Sequence, residues 1–419
     1  MRSFSSPLHA NPAFLHLWAG ETASQFGFQI GTIATSAIAI NLLHASNNEI
    51  GFLSAAQTIA FLLIGLPAGA WVDRWRKRRV MITADIVRVI ALASVPIAQL
   101  LGSLTLTHLM AVAALMGFAT VFFDVAYQSY VPVIVGPRLV AGANGRLEAS
   151  FQVARVGGPG LGGWLIGLTS APAAYIVTSL TYALSAFFIW RIRDPEPAVE
   201  PPSDANLWHQ IREGVDFIRG QRLLGPLFAC ISVSAFFSQG QMVLLPILVL
   251  RELEMTATAL GILLSFGALG GIAAALVRSH VVLRLGEGRS IYLCYLIASV
   301  ATLGLPLATR AGAWASTVIV AVNIISSFFL TIYNVTQMSL RQRLCPSHLL
   351  GRLNATFRFA VWGMMPLGSI ACGLVAQAVG VTTALYIFIV GTIAAGIAMA
   401  FTPAARLSLG DTIDYPKDL

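Results

Sequence analysis

"AGAWVDRWRKRRV", residues 68–80, sets Arg74, Arg76, Lys77, Arg78 and Arg79 behind one acid, Asp73. Apolar runs flank it on both sides, "IAFLLIGLP" before and "MITADIVRVIALASVPIAQLL" after. A cluster of cations in a short break between two apolar stretches reads as a loop held at one face of a membrane. Composition makes that reading general. The chain has 419 residues, 57% of them hydrophobic and 11% charged, with mean hydropathy +0.77. A soluble domain carries about a quarter charged residues. Apolar stretches of membrane-spanning length recur along the whole sequence. Alternating strand-like segments of the kind that build a membrane barrel are absent from it. The fold class is therefore an all-α membrane protein.

The runs predict about twelve transmembrane helices, six before and six after one long polar stretch. The expected organisation is a six-helix bundle over 1–191, a linker over 192–222, a second six-helix bundle over 223–404 and a polar tail over 405–419. The linker opens Pro- and acid-rich, a composition that cannot build a core. It then sets Leu207, Ile211, Val215 and Ile218 at helical spacing, which predicts an amphipathic helix on the membrane face. With both termini on the cytoplasmic side, only Arg251 and Arg310 fall in segments on the opposite side. The net charge of +8 is then mostly the positive-inside bias, and nucleic acid is not an expected partner. "MRSFSSPLHANP" leads into a span too long for a cleaved leader, so the first helix is expected to stay. Four scattered cysteines show no metal or disulfide spacing.

The chain also repeats. "GRLEASF" at 145–151 returns as "GRLNATF" at 351–357, and Tyr127 returns as Tyr333 at the same offset. Arg74 and Arg79 correspond to Arg284 and Arg289 after the second span of the second half. Two parallel halves of six helices are the plan of a two-bundle transporter.

On these features the sequence resembles the major facilitator superfamily. That family's signature between spans two and three is G-x-x-x-D-R-x-G-R-R. Here Gly69, Asp73, Arg74, Arg78 and Arg79 carry it, with Arg76 where the family prefers glycine. "LWAGETASQFG", "FFDVAYQSYVP" and "GRLNATFRFAVWG" resemble the branch containing macrolide-efflux and enterobactin-export proteins. The resemblance implies that Asp73 meets the start of the eleventh helix, with Arg358 a candidate partner, and so acts as a gate between two states. In span five, Gly158, Pro159, Gly162 and Gly163 resemble the GPxxGG core associated with antiporter-type exporters, with Ala154 where the family has a further glycine. Small residues at that spacing allow close helix approach, and Pro159 removes one backbone bond so the helix can bend.

Ionisable groups inside spans are costly and mark function by default. Glu21, Asp85, Arg88, Asp124, Arg155 and Arg358 are such groups, at roughly 6 to 12 Å from the cytoplasmic ends of their spans. Their charges sum to zero, which predicts pairing. Asp124 is the first candidate for proton coupling, with Arg88 or Arg155 as counter-ion, and Glu21 is the second. Asp85 and Arg88, three apart on one helix, can also simply satisfy each other.

Gln25, Gln29, Phe123, Tyr127, Gln239, Gln241, Tyr333, Asn334 and Gln337 are the substrate-lining candidates, since aromatics with a few amides suit an amphiphilic organic molecule. No P-loop, metal-binding or nucleophile motif is present in the sequence, so neither enzyme chemistry nor a cofactor or metal is expected. The expected function is a proton-coupled exporter of drug-like or siderophore-like compounds, a monomer in a bacterial inner membrane, whose partners are substrate, protons and lipid. An uptake permease, a lysophospholipid flippase and a non-transporting receptor or scaffold are the alternatives.

Overall fold

The computed structural model describes residues 8, 11–65, 67–136, 138–193, 196, 223–344 and 350–406, with side chains of 70, 350–355 and 406 excepted. The expected amphipathic helix over 207–222 lies outside them. Every regular element among the described residues is a helix.

In the first half these are α1 (Pro12–Ala37), α2 (Asn47–Ile64), α3 (Pro67–Asp73), α4 (Lys77–Leu100), α5 (Leu106–Val135), α6 (Val140–Leu168) and α7 (Ala171–Trp190). In the second they are α8 (Leu224–Ile247), α9 (Ala257–Leu285), α10 (Glu287–Ala301), α11 (Ala315–Leu344), α12 (Leu350–Trp362), α13 (Met364–Val379) and α14 (Val381–Ala400). Nine of the described helices, some running through short turns, are long and apolar enough to cross a membrane, and α2 with α3 makes a tenth as one bent span. The other two long helices, α1 and α6, are more polar: α1 carries His16, Glu21, Gln25 and Gln29, and α6 carries Arg146, Glu148 and Arg155. Together they account for twelve helical passages.

Helix starts follow local chemistry. Asn11 caps α1 by accepting from the Phe14 N–H at 3.0 Å, and Pro12 occupies the first turn, where its missing N–H costs nothing. Ser170 caps α7 in the same way. Ser46 and Glu49 form a reciprocal capping box at α2.

The chain divides into two compact units. The first comprises residues 1–205 together with 246–265, and the second 206–245 with 266–419. The first unit packs Phe14, Leu17, Met81, Phe123, Tyr130 and Ile189 into one core. The second packs Leu227, Ile231, Tyr295, Ile332, Tyr333 and Leu340. Large apolar side chains such as Ile90, Leu100, Leu180 and Leu276 remain exposed, as bilayer-facing positions require.

The basic loop ties the first unit together at one end. Arg78 Nε donates to the Ile189 carbonyl at 3.1 Å, and its Nη2 donates to that of Trp190, so one guanidinium bridges the last two carbonyls of α7. Glu196, just beyond α7, accepts from the Lys77 N–H at 2.7 Å and the Arg78 N–H at 3.4 Å. The start of α4 is thus capped by a carboxylate from the linker.

Candidate functional site

The candidate site is a cavity of about 320 Å³ inside the first unit. Five helices supply its polar groups, among them Glu21 and Gln25 from α1, Gln57 and Thr58 from α2, Arg88 from α4, Asp124 from α5 and Tyr182 from α7. Phe28, Phe61, Phe123, Phe151 and Met116 supply apolar wall.

At its heart Arg88, only 3% exposed, donates from Nη1 to Asp85 Oδ1 at 2.9 Å. Asp85 is fully buried beside Ser185. The helical spacing of three residues puts acid and base on one face of α4, so the pair assembles locally. The Arg88 guanidinium also lies 4.6 Å from the centre of the Phe123 ring and 5.0 Å from that of Tyr182. Glu21 and Asp124 both interact electrostatically with it. Glu21 accepts from Gln25 Nε2 at 2.6 Å and is 7% exposed.

Three carboxylates, Glu21, Asp85 and Asp124, therefore lie within electrostatic reach of one guanidinium at the cavity wall. The cluster departs from the neutral pairing that the sequence predicts, because Arg155 and Arg358 are elsewhere. Arg155 is exposed on α6 and does not line the cavity. Arg358 stands over the Trp362 ring at 4.3 Å in the second unit.

The other candidates fall into groups. Gln25 and Phe123 line the cavity, whereas Tyr127 stacks on Phe123 at 6.2 Å between ring centres. Gln29 packs against α6, where a Cβ on Gly158 would lie 2.4 Å from its Cβ. In the second unit, Gln239 Nε2 donates to Ser369 Oγ at 3.2 Å and Gln241 Nε2 to Thr392 Oγ1 at 3.0 Å. Tyr333 is buried against Tyr295, with ring centres 4.9 Å apart. Gln337 is buried and Asn334 is exposed. Gly69 has open space around it, and Asp73, Arg74 and Arg79 are exposed near the end of α3 and the start of α4.

The glycines of α6 serve two neighbours. Gly158 and Gly162 face α1, where a Cβ on Gly162 would come 3.0 Å from Ile30 Cα. Gly163 faces the start of α9, where a Cβ would come 2.6 Å from the Ala257 carbonyl oxygen. Hydrogen bonds reinforce the second face. The Gly160 N–H donates to Ser265 Oγ at 2.8 Å, and Thr258 Oγ1 donates to the Gly163 carbonyl at 2.8 Å.

The sequence reading omits Tyr175, Tyr182, Thr35 and Phe151 from the lining, and it gives Glu196 no role. The Thr35 and Tyr175 hydroxyls are 2.6 Å apart. Tyr175 and Tyr182 share one face of α7 at a spacing of seven, a signal that helical periodicity contains.

The family model of the Major Facilitator Superfamily matches residues 17–369. The chain belongs to that family. Its fold and family are those of transporters and not of enzymes. It is 25% identical over 375 residues to the multidrug efflux pump Tap of Mycolicibacterium fortuitum, covering 85% of this chain and 88% of that one. It is 24% identical to the Tap pump of Mycobacterium tuberculosis, covering 97% of each. Among solved structures it is similar to a bacterial homologue of the iron transporter ferroportin, with TM-score 0.74, 18% identity and coverage of 92% and 97%. That last likeness speaks for the fold alone. The protein is a multi-pass membrane transporter of small molecules.

Proposed function

We propose that this chain is a proton-coupled exporter of amphiphilic, drug-like compounds. It works by alternating access as a monomer in a bacterial inner membrane, with both termini cytoplasmic. The observation that carries the reading is the sharing of Arg88 by Glu21, Asp85 and Asp124 at an aromatic-walled cavity. One of the two carboxylates, Asp124 as first candidate or Glu21 as second, exchanges the coupled proton, and Asp85 keeps Arg88 in place. The cavity's mixed wall suits a molecule with a large apolar part and a few polar groups. The efflux pumps similar to this chain over most of its length support export over uptake.

The test is proton release from acid-loaded proteoliposomes containing a pH dye, on addition of a panel of lipophilic dyes and macrolides. Substrate-dependent alkalinisation inside supports antiport. A panel member that accumulates with no proton movement overturns the coupling, and accumulation only in the opposite vesicle orientation points to a permease.

A further inference from the structure

Arg251 is one of the cations that the positive-inside rule places on the wrong side of the membrane, and neither the cavity nor the basic loop uses it. It lies where α8 runs on as a π-turn, Leu248–Glu252. The same device ends α1, as Ile38–Leu42. In each, an N–H reaches back five residues, Leu43 to Ile38 and Leu253 to Leu248, both at 2.9 Å. A left-handed residue then turns the chain, His44 with φ 48° and Glu254 with φ 50°, the two non-glycine residues of positive φ among those described. A side-chain cap follows: Ser46 starts α2 and Thr256 starts α9. His44 and Glu254 are 210 residues apart in sequence, the offset that also relates the basic loops. Two copies of one strained turn have thus been kept at equivalent ends of the two halves. Left-handed non-glycine residues and π-turns carry a conformational cost and cluster where a protein has to switch.

The two turns are in contact, and residues 246–265 group with the first unit. The link is made by Arg251, whose Nη1 donates to Asn47 Oδ1 at 2.6 Å and whose Nη2 donates to the Ala45 carbonyl. Ala45 is buried, and its carbonyl follows His44 directly, so the left-handed turn aims the acceptor. The symmetric position of Arg251 in the first half is Asn41, so only one copy carries the guanidinium. A planar fork meeting two acceptors gives a directional, charge-assisted clasp that a lysine cannot reproduce.

We propose that Arg251 is a latch that holds the membrane end opposite the Arg76–Arg79 loop closed, with the paired π-turns as the bistable element it biases. When the latch releases, the tips of α8 and α9 leave the first unit and that end opens. Within the first unit, the basic loop at Asp73 lies at one end of the α2–α3 passage, and Arg251, bonded to Ala45 and Asn47, lies at the other.

The experiment follows the reactivity of Thr32→Cys, which lines the outer part of the cavity, toward a membrane-impermeant maleimide added at the face opposite the basic loop. The chain lacking Thr32→Cys is the blank. Arg251→Ala is expected to raise the labelling rate about tenfold, the population shift that follows from losing a charge-assisted hydrogen bond. Asn47→Ala, which keeps the cation, is expected to raise it too. Asn47→Asp, which turns the contact into an ion pair, is expected to lower it. Should Arg251→Ala not fold, Arg251→Lys and the two Asn47 variants carry the test alone. Rates unchanged in the Asn47 variants, or moved the same way by Asn47→Ala and Asn47→Asp, overturn the latch. The readout needs no substrate, so it stands apart from any failure of the exporter reading.

Discussion

Arg88 holds its guanidinium 4.6 Å from the centre of the Phe123 ring, with Tyr182 on another side at 5.0 Å. A buried cation in water-poor surroundings needs both an anion and polarisable neighbours. Here Asp85 gives the first and the two rings the second. The group is thereby fixed in the cavity wall, where Glu21 and Asp124 meet its field.

The flat shape of that group matters more than its charge. Arg88→Lys keeps the charge but cannot stack between rings while donating to Asp85. It is expected to lower unfolding free energy by about 1–3 kcal/mol, measured by denaturant titration in detergent micelles. Arg88→Met leaves Asp85 with no partner on α4 and is expected to cost about 3–5 kcal/mol. An Arg88→Lys protein as stable as the parent would mean that the planar fork of the guanidinium contributes nothing beyond its charge.

Two glycines of α6 make a direct comparison. A Cβ at Gly163 would lie 2.6 Å from the Ala257 oxygen and 2.9 Å from Thr258 Cα, both of them backbone atoms that cannot swing aside. Gly163→Ala is expected to cost about 1–3 kcal/mol as overpacking. At Gly157 the nearest atom is Phe26 Cε1 at 3.7 Å, an ordinary contact. Gly157→Ala is expected to gain about 0.5–1 kcal/mol, because alanine loses less backbone entropy in a helix. Thermal unfolding of the two variants side by side checks the opposite signs.

Glu196 gives a third expectation. Its carboxylate caps two N–H groups at the start of α4, whereas its ion pair with Lys77, at 4.0 Å and partly in solvent, adds little. Glu196→Ala is expected to destabilise by about 1 kcal/mol. Glu196→Gln keeps an acceptor and loses only the interaction of charge with the helix end, about 0.3–1 kcal/mol. Equal losses from both would show that charge, and not the hydrogen bonds, does the capping.

Which of these features a reader could have found in the letters depends on how local their cause is. Apolar runs, the α6 glycine spacing and the Asp85–Arg88 pair are legible because each depends on neighbours three or four residues away. The inward charges Glu21 and Asp124 are legible because a carboxylate in a span has few reasons to be there. Arg155 is exposed on α6 and does not line the cavity, and a lone cation in an apolar run looks the same whichever way it points. Gln239 and Gln241 spend their amides on Ser369 and Thr392, contacts that join residues 130 and 151 apart. Glu196 sits in a segment whose composition promises no order, and its partners are N–H groups that no side-chain pattern records. The π-turns escape because α and π windings share one apolar pattern. Only the 210-residue echo, with Ser46 and Thr256 as matching caps, hints at them.

Asp73 is exposed at the end of α3, so its carboxylate contributes little to packing within the first unit. Asp73→Asn is expected to leave thermal unfolding within about 0.5 kcal/mol of the parent while slowing transport. A variant that transports at the parent's rate would reduce the motif's acid to a marker of topology.

Glu21 and Asp124 separate coupling from movement. Both reach the Arg88 charge, and each also faces the other as a like charge. If one of them exchanges the transported proton, its amide keeps the shape of the site but has nothing to titrate. Glu21→Gln replaces a carboxylate held by Gln25 with an amide that can still accept that bond. Asp124→Asn likewise leaves no carboxyl to titrate on α5. The coupling residue's amide is expected to retain substrate exchange between equal pools across the membrane, since exchange needs no net proton movement. It is expected to lose accumulation driven by an imposed pH gradient, by a factor of about 10 or more, equivalent to about 1.4 kcal/mol of driving force. The other variant is expected to keep both. Loss of exchange together with driven accumulation would assign that residue to substrate binding. Retention of driven accumulation in both variants would remove the proton from this cavity altogether.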